Sequence, residues 1–213
     1  MLVVLPRLTF LADAVRISTR VTRRIFHSFH RGLLAALLLA LSFLPISVLA
    51  TEGIDITQAH LESSEDAFRL SATFAFDLNH TLEDAINHGI PLYFTTQVEL
   101  TRPRWYWFDE TAISAQRTVR ISKNLLTDEY QASILGGVQR SFSTLEEAVA
   151  LLRRPSRWVV AERANLKSGT SYNVSVNMRL DLEYLSKPIH VNALNNSDWQ
   201  LASVRKTFPF KAE

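Results

Sequence analysis

Residues 92–110 read LYFTTQVELTRPRWYWFDE, and the fold follows from how this stretch divides at Pro103. Leu92, Phe94, Thr96, Val98 and Leu100 alternate with Tyr93, Thr95, Gln97 and Glu99. Period two with one apolar face marks a half-buried strand, because successive side chains of extended backbone point to opposite sides. The strand runs directly into Trp105, Tyr106, Trp107 and Phe108, flanked by Arg102, Arg104, Asp109 and Glu110. Each ring brings roughly 150–250 Å² of surface that must be covered by the core or offered to something else. As packing, two assignments compete. In one, Trp105 and Trp107 fill the core while Arg104, Tyr106 and Phe108 cover an edge or a loop. In the other, period two continues through Pro103 and places Tyr106 and Phe108 inside, with Trp105 and Trp107 outside; a bulge at Pro103 would reverse this. As a contact surface, Arg102, Arg104, Trp105, Tyr106, Trp107 and Phe108 are the candidate residues for meeting a partner or ligand, through cation–π contact or ring stacking on a sugar or peptide.

The same alternation recurs on both sides of this stretch. Phe68, Leu70, Ala72, Phe74 and Phe76 give a strand, preceded by another from Ile54 to about Leu61. Ile113, Ala115, Arg117, Val119 and Ile121 continue beyond the aromatic block, followed by Tyr130, Ala132 and Ile134. Gly136-Gly137 fits a tight hairpin turn into Val138 to Phe142. Trp158 to Val160 is a short strand, Tyr172 to Leu182 the longest clean alternation, and Val204 to Phe210 a final strand in which Pro209 requires an edge position. Two helices interrupt this series. Thr81 with Asp84, then Leu82, Ala85, Ile86 and Gly89, reads as a short capped helix; Ser143 with Glu146 reads as a capping box opening STLEEAVALLRR. Pro188, Asn195, Asn196, Ser197 and Trp199 read as a structured loop. Seven to nine strands with hairpin spacing and two short helical insertions predict a mainly β fold, an antiparallel β-sandwich of immunoglobulin-like architecture, in a single domain over residues 51–213.

Residues 1–50 are set apart by composition. Arginines at 16, 20, 23, 24 and 31 precede GLLAALLLALSFLPISVLAT, residues 32–51, which contain no ionisable side chain. Pro45 breaks the apolar run, and Val48-Leu49-Ala50 supplies small residues where a signal peptidase cuts. Residues 1–50 are therefore expected to be an export signal cleaved after Ala50. An uncharged run of about 20 residues also spans a bilayer, so a retained N-terminal membrane anchor is the alternative. Six of the basic residues and one acid lie before Thr51, and the formal balance of +2 for the whole chain becomes −3 without them. The positive charge belongs to the leader and gives no reason to propose nucleic acid as a partner.

The 213-residue chain contains no cysteine, which excludes a disulfide framework, a thiol nucleophile and thiolate metal ligands. His60, His80, His88 and His190 show no metal-ligand spacing, and no GxSxG elbow or SxxK pair appears. Asp109 with Glu110, and Asp181 with Glu183, are the carboxylate pairs open to acid–base work. The first pair are strand neighbours that point apart, and the second is expected on a wet polar face. Asn-x-Ser/Thr triplets at Asn79, Asn173 and Asn195 read as coincidence beside a bacterial-looking leader.

Four blocks carry a family resemblance: RPRWYWFDE at 102–110, the Thr-Leu-Glu-Glu-Ala helix at 144–148, the Tyr172–Asp181 strand, and Lys187 to Trp199. Together they resemble the proteobacterial domain of unknown function 4390 family over nearly all of the chain after the leader. The resemblance implies an envelope protein of Gram-negative bacteria, exported or anchored, and supplies no catalytic residue, cofactor or metal. It also implies a gene encoded beside that of a membrane sensor histidine kinase of the nitrogen-regulation type. The resulting expectation is a non-enzymatic periplasmic protein–protein interaction module whose partner is an envelope or inner-membrane protein, such as a sensor kinase ectodomain. A small-ligand or glycan-binding sandwich using residues 102–110 is the alternative, and an envelope hydrolase the weakest of the three.

Overall fold

The computed structural model describes residues 53–155 and 157–213, all within the unit Thr51–Glu213. The cleavage and anchor readings of the leader lie outside the described residues. Nine strands and three helices follow in the order β1 Asp55–Ser63, β2 Ala67–Ala75, α1 His80–Asn87, β3 Leu92–Arg102, β4 Glu110–Asn124, β5 Glu129–Ile134, β6 Gln139–Phe142, α2 Leu145–Arg153, β7 Trp158–Glu162, β8 Ser171–Leu180, α3 Lys187–Leu194 and β9 Lys206–Lys211. They form two antiparallel sheets, a small one ordered β1-β2-β7 and a large one ordered β6-β5-β4-β3-β8-β9. The fold is mainly β.

Alternation does the work the sequence promised. β3 buries Leu92, Phe94, Thr96, Val98 and Leu100, and β8 buries Tyr172, Val174, Val176, Met178 and Leu180 on the same side. β2 contributes Phe68, Leu70, Ala72 and Phe74 from the small sheet, and all but Thr96 of these residues join one apolar core. Phe68 of β2 meets Phe210 of β9 edge to face at 5.6 Å, tying the two sheets together. Phe76, just past the end of β2, lies 5.9 Å from Phe94. Arg153 at the end of α2 donates to the Phe76 carbonyl at 3.0 and 2.8 Å, which satisfies a backbone acceptor that has left its sheet.

Helix α1 ends as expected: Gly89, at φ 79°, donates to Ile86 O at 2.8 Å, and Ile90 to Ala85 O at 2.9 Å. This is the paired closure that a left-handed residue after a helix permits. The caps differ from expectation. Asn79, not Thr81, caps α1, accepting from Leu82 N at 3.0 Å while its amide donates to Asp198 O at 2.7 Å. In α2 the capping box is Thr144 with Glu147, one residue later than Ser143 with Glu146. Two short helical insertions become three. Lys187–Leu194 is helical because Pro188 occupies the first turn, where its missing N–H costs nothing, after Ser186 at the cap position. The expected loop thus contains α3 and a single 3₁₀ turn at Ser197–Trp199. β9 is an edge strand, as Pro209 requires.

Candidate interaction surface

β3 and β4 are joined by a long hairpin in which Arg102 pairs with Glu110, and residues 103–109 form the tip. The register slips between Leu100 and Thr101, so the period that orders the strand does not reach the aromatic block. Neither packing assignment holds. Trp105 is 94% exposed, Tyr106 66%, Trp107 69% and Phe108 83%. Pro103 removes a ladder donor at the point where β3 ends, and the tip has no facing layer to fill. The rings touch mainly each other: Trp105 and Tyr106 meet edge to face at 5.2 Å, Trp107 and Phe108 at 6.0 Å.

The base of the tip is clasped by charge. Arg102 and Arg104 both pair with the Glu110 carboxylate, and Arg104 N donates to Asp109 Oδ1 at 3.4 Å. Hydrogen bonds from Arg104 and Arg102 hold the Glu110 carboxyl below the usual carboxylate range. Both arginines are therefore committed to shaping the loop rather than lying free over the rings. Because the folded value is depressed, the clasp is fully formed above the ordinary glutamate value of about 4.3 and is lost as pH falls through the folded one. Carboxyl NMR titration is expected to show Glu110 titrating lower in the wild type than in Arg104→Gln; identical curves would remove the clasp.

The second carboxylate pair does not lie where the alternation puts it. β8 stops at Leu180, Asp181 is buried, and Leu182–Tyr184 turns as a 3₁₀ helix. Asp181 Oδ2 accepts from Thr95 Oγ1 at 2.9 Å, and Thr95 lies 2.8 Å from Thr118 Oγ1. Since Thr95 gives its one proton to Asp181, Thr118 donates to Thr95, a chain crossing β4, β3 and the end of β8. Asp181 Oδ1 also accepts from Glu183 N at 3.3 Å, Arg179 Nη2 stands 3.5 Å from Oδ2, and Tyr184 stacks on Tyr93 at 4.9 Å. Asp181 thus fastens a turn onto the sheet, and Glu183 is exposed beside it. Asp181→Ala would strand the Thr95 hydroxyl and is expected to cost about 1–3 kcal/mol in denaturant unfolding; Asp181→Asn keeps an acceptor and should lose less.

Three of the histidines make local contacts. His60 pairs with Glu62 at 3.0 Å, His80 with Asp84 at 3.2 Å, and His88 Nδ1 contacts Asp84 O at 2.7 Å. Among the described residues no three His, Asp or Glu side chains converge in a metal-binding arrangement, and no helix is long and apolar enough to cross a membrane.

Arg117 places a charge in the apolar phase of β4, between Ala115 and Val119. It lies half-buried in a cleft of ≈ 390 Å³ with Ile134, Leu135, Trp158 and Tyr184. Burial pushes its guanidinium down from its ordinary value, and among the described residues no acid lines the cleft.

No curated protein and no solved structure matches the chain. A family model described as a domain of unknown function (DUF4390) matches residues 51–209, and the chain belongs to that family.

Proposed function

We propose that this protein is an exported, non-enzymatic envelope protein that works as a protein–protein interaction module and meets its partner with the tip of the β3–β4 hairpin. The observation that carries the reading is the exposure of four consecutive aromatic rings at that tip. Soluble proteins rarely leave contiguous apolar surface uncovered unless it is a contact site, and Trp and Tyr dominate the energetics of such sites. The charged clasp beneath the rings supports it, since a fixed loop loses less freedom on binding. Two antiparallel sheets around one core support a β-sandwich with an immunoglobulin-like arrangement, although the three-and-six division of strands departs from the usual seven-strand plan. Residues 1–50 are the export signal or membrane anchor in this reading. The partner is an envelope or inner-membrane protein, of which the ectodomain of a sensor histidine kinase is one.

The test places a photo-cross-linking amino acid at Tyr106 and irradiates intact envelopes. A discrete cross-linked protein is expected; products spread evenly over abundant envelope proteins would sink the reading. The exposed Trp105 ring also favours stacking on a sugar. Binding to a glycan array that is lost in Trp105→Ala would turn the assignment to the glycan-binding alternative.

A further inference from the structure

The outer edge of β4 is only partly used. β5 pairs with it from Val119 to Asn124 and stops, while β4 itself begins at Glu110. Leu135 N donates to Thr118 O at 2.8 Å, so the Thr118 carbonyl points away from β3. Backbone groups of an antiparallel strand alternate between its two neighbours, and the register with β3 is unbroken from Leu92–Ile121 to Leu100–Ile113. Gln116 and Ser114 therefore aim their N–H and C=O groups at the same outer side, where no strand pairs with them among the described residues. Both residues are exposed.

An open edge is a hazard that folded proteins usually blunt. The other edges here show such treatment. β9 carries Pro209, Lys206 Nζ donates to the β1 carbonyls of Ile56 and Thr57 at 2.7 and 3.0 Å, and β6 and β7 have only 4 and 5 residues. β4 has two devices: a bulge at Ala112, where the pairing passes from Leu100–Ile113 to Thr101–Thr111, and the inward-facing Arg117 beyond it. A strand added beside Ser114 and Gln116 would carry its inward side chains over the cleft that holds Arg117, against Ile134, Leu135 and Trp158. An apolar strand would bury the guanidinium without a counter-charge, which is costly. A strand that brings a carboxylate gains a charge-assisted hydrogen bond there instead. The charge that repels most strands thereby selects one kind.

We infer that the Ile113–Arg117 edge of β4 receives an extended segment of a protein partner by strand addition, with a carboxylate of that segment paired to Arg117 in the cleft. The inference rests on the interaction-module reading above and supplies the chemistry of the partner. The edge begins at Ile113, just past the bulge that follows the aromatic tip, so one partner reaches both.

The experiment titrates isotope-labelled full chain in detergent micelles with a capped nine-residue peptide of alternating valine and threonine, lysine at each end and one central glutamate. Two control peptides replace the glutamate by glutamine or methylate the backbone nitrogens of one edge. Saturable amide shifts at Ser114, Gln116 and Arg117 are expected with the glutamate peptide. Affinity should fall by roughly tenfold or more for the glutamine peptide and for Arg117→Gln, the loss of one charge-assisted bond, and methylation should abolish binding. Equal affinity for the two peptides, or no shift at the edge of a folded chain up to millimolar peptide, overturns the inference and leaves Arg117 as a guard against pairing. Dimerisation of the wild type that Arg117→Gln abolishes overturns it in favour of a second copy. Trp105→Ala with Trp107→Ala should leave the peptide shifts unchanged, so failure at the edge and failure at the tip are read separately.

Discussion

Replacing Phe94 with alanine is expected to destabilise the fold by about 3–5 kcal/mol, the range for truncating a buried aromatic. Phe94 lies on β3, the strand with β4 on one side and β8 on the other, and its side chain has no solvent exposure. Opposite it stands Phe76, 5.9 Å away, which Arg153 holds in place through the backbone carbonyl. A cavity here is lined by elements already fixed by other contacts, so collapse can recover little. Denaturant unfolding of the variant against wild type measures the loss. A cost under about 1 kcal/mol, typical of peripheral substitutions, would show that the core is not centred on β3. Phe108→Ala removes the same side chain from an exposed position and should stay within about 0.5 kcal/mol.

Trp105→Ala combined with Trp107→Ala is expected to reverse that pattern, leaving stability unchanged and removing binding. Both indoles are more exposed than buried, so folding loses almost nothing when they go. Each is the kind of side chain that costs about 2–4 kcal/mol when truncated at the centre of an interface. The double variant should therefore reduce capture of the envelope partner at Tyr106 by roughly thirtyfold or more, with an unfolding midpoint matching wild type. Capture at the wild-type level would remove the tip from the interface. A shifted midpoint would mean the rings pack against something in the folded chain.

The sheet was legible where one residue type per position settles the face. Leu92 to Leu100 and Tyr172 to Leu180 alternate without exception or nearly so, and the core follows them. Gly89 was legible because a left-handed residue must follow a helix of that closure. The fate of Trp105 to Phe108 was not, since period two describes a strand and says nothing beyond the residue where the strand turns. Pro103 and the slip at Thr101 end the pattern before the first ring. Asp181 was misplaced because its reason for burial, Thr95, stands 86 residues away. Lys187–Leu194 was misread because proline and asparagine signal loops in general, and proline is also compatible with a helix when it falls in the first turn, as Pro188 does. The free edge at Ser114 and Gln116 has no local signal at all, since it depends on where β5 stops.

The central position of β3 also sets an order of events as the chain is made. One of its neighbours, β4, follows at once through the hairpin, whereas the other is β8, with Thr95 and Asp181 joined across 86 positions. Until residue 180 has emerged, the side of β3 that β8 will cover is an unpaired edge beside Phe94, Val98 and Leu100. Contacts so distant form slowly, and an apolar edge left waiting is prone to pair with the wrong chain. The nascent protein therefore passes through an aggregation-prone interval whose length is set by residues 103–170, which separate these two strands.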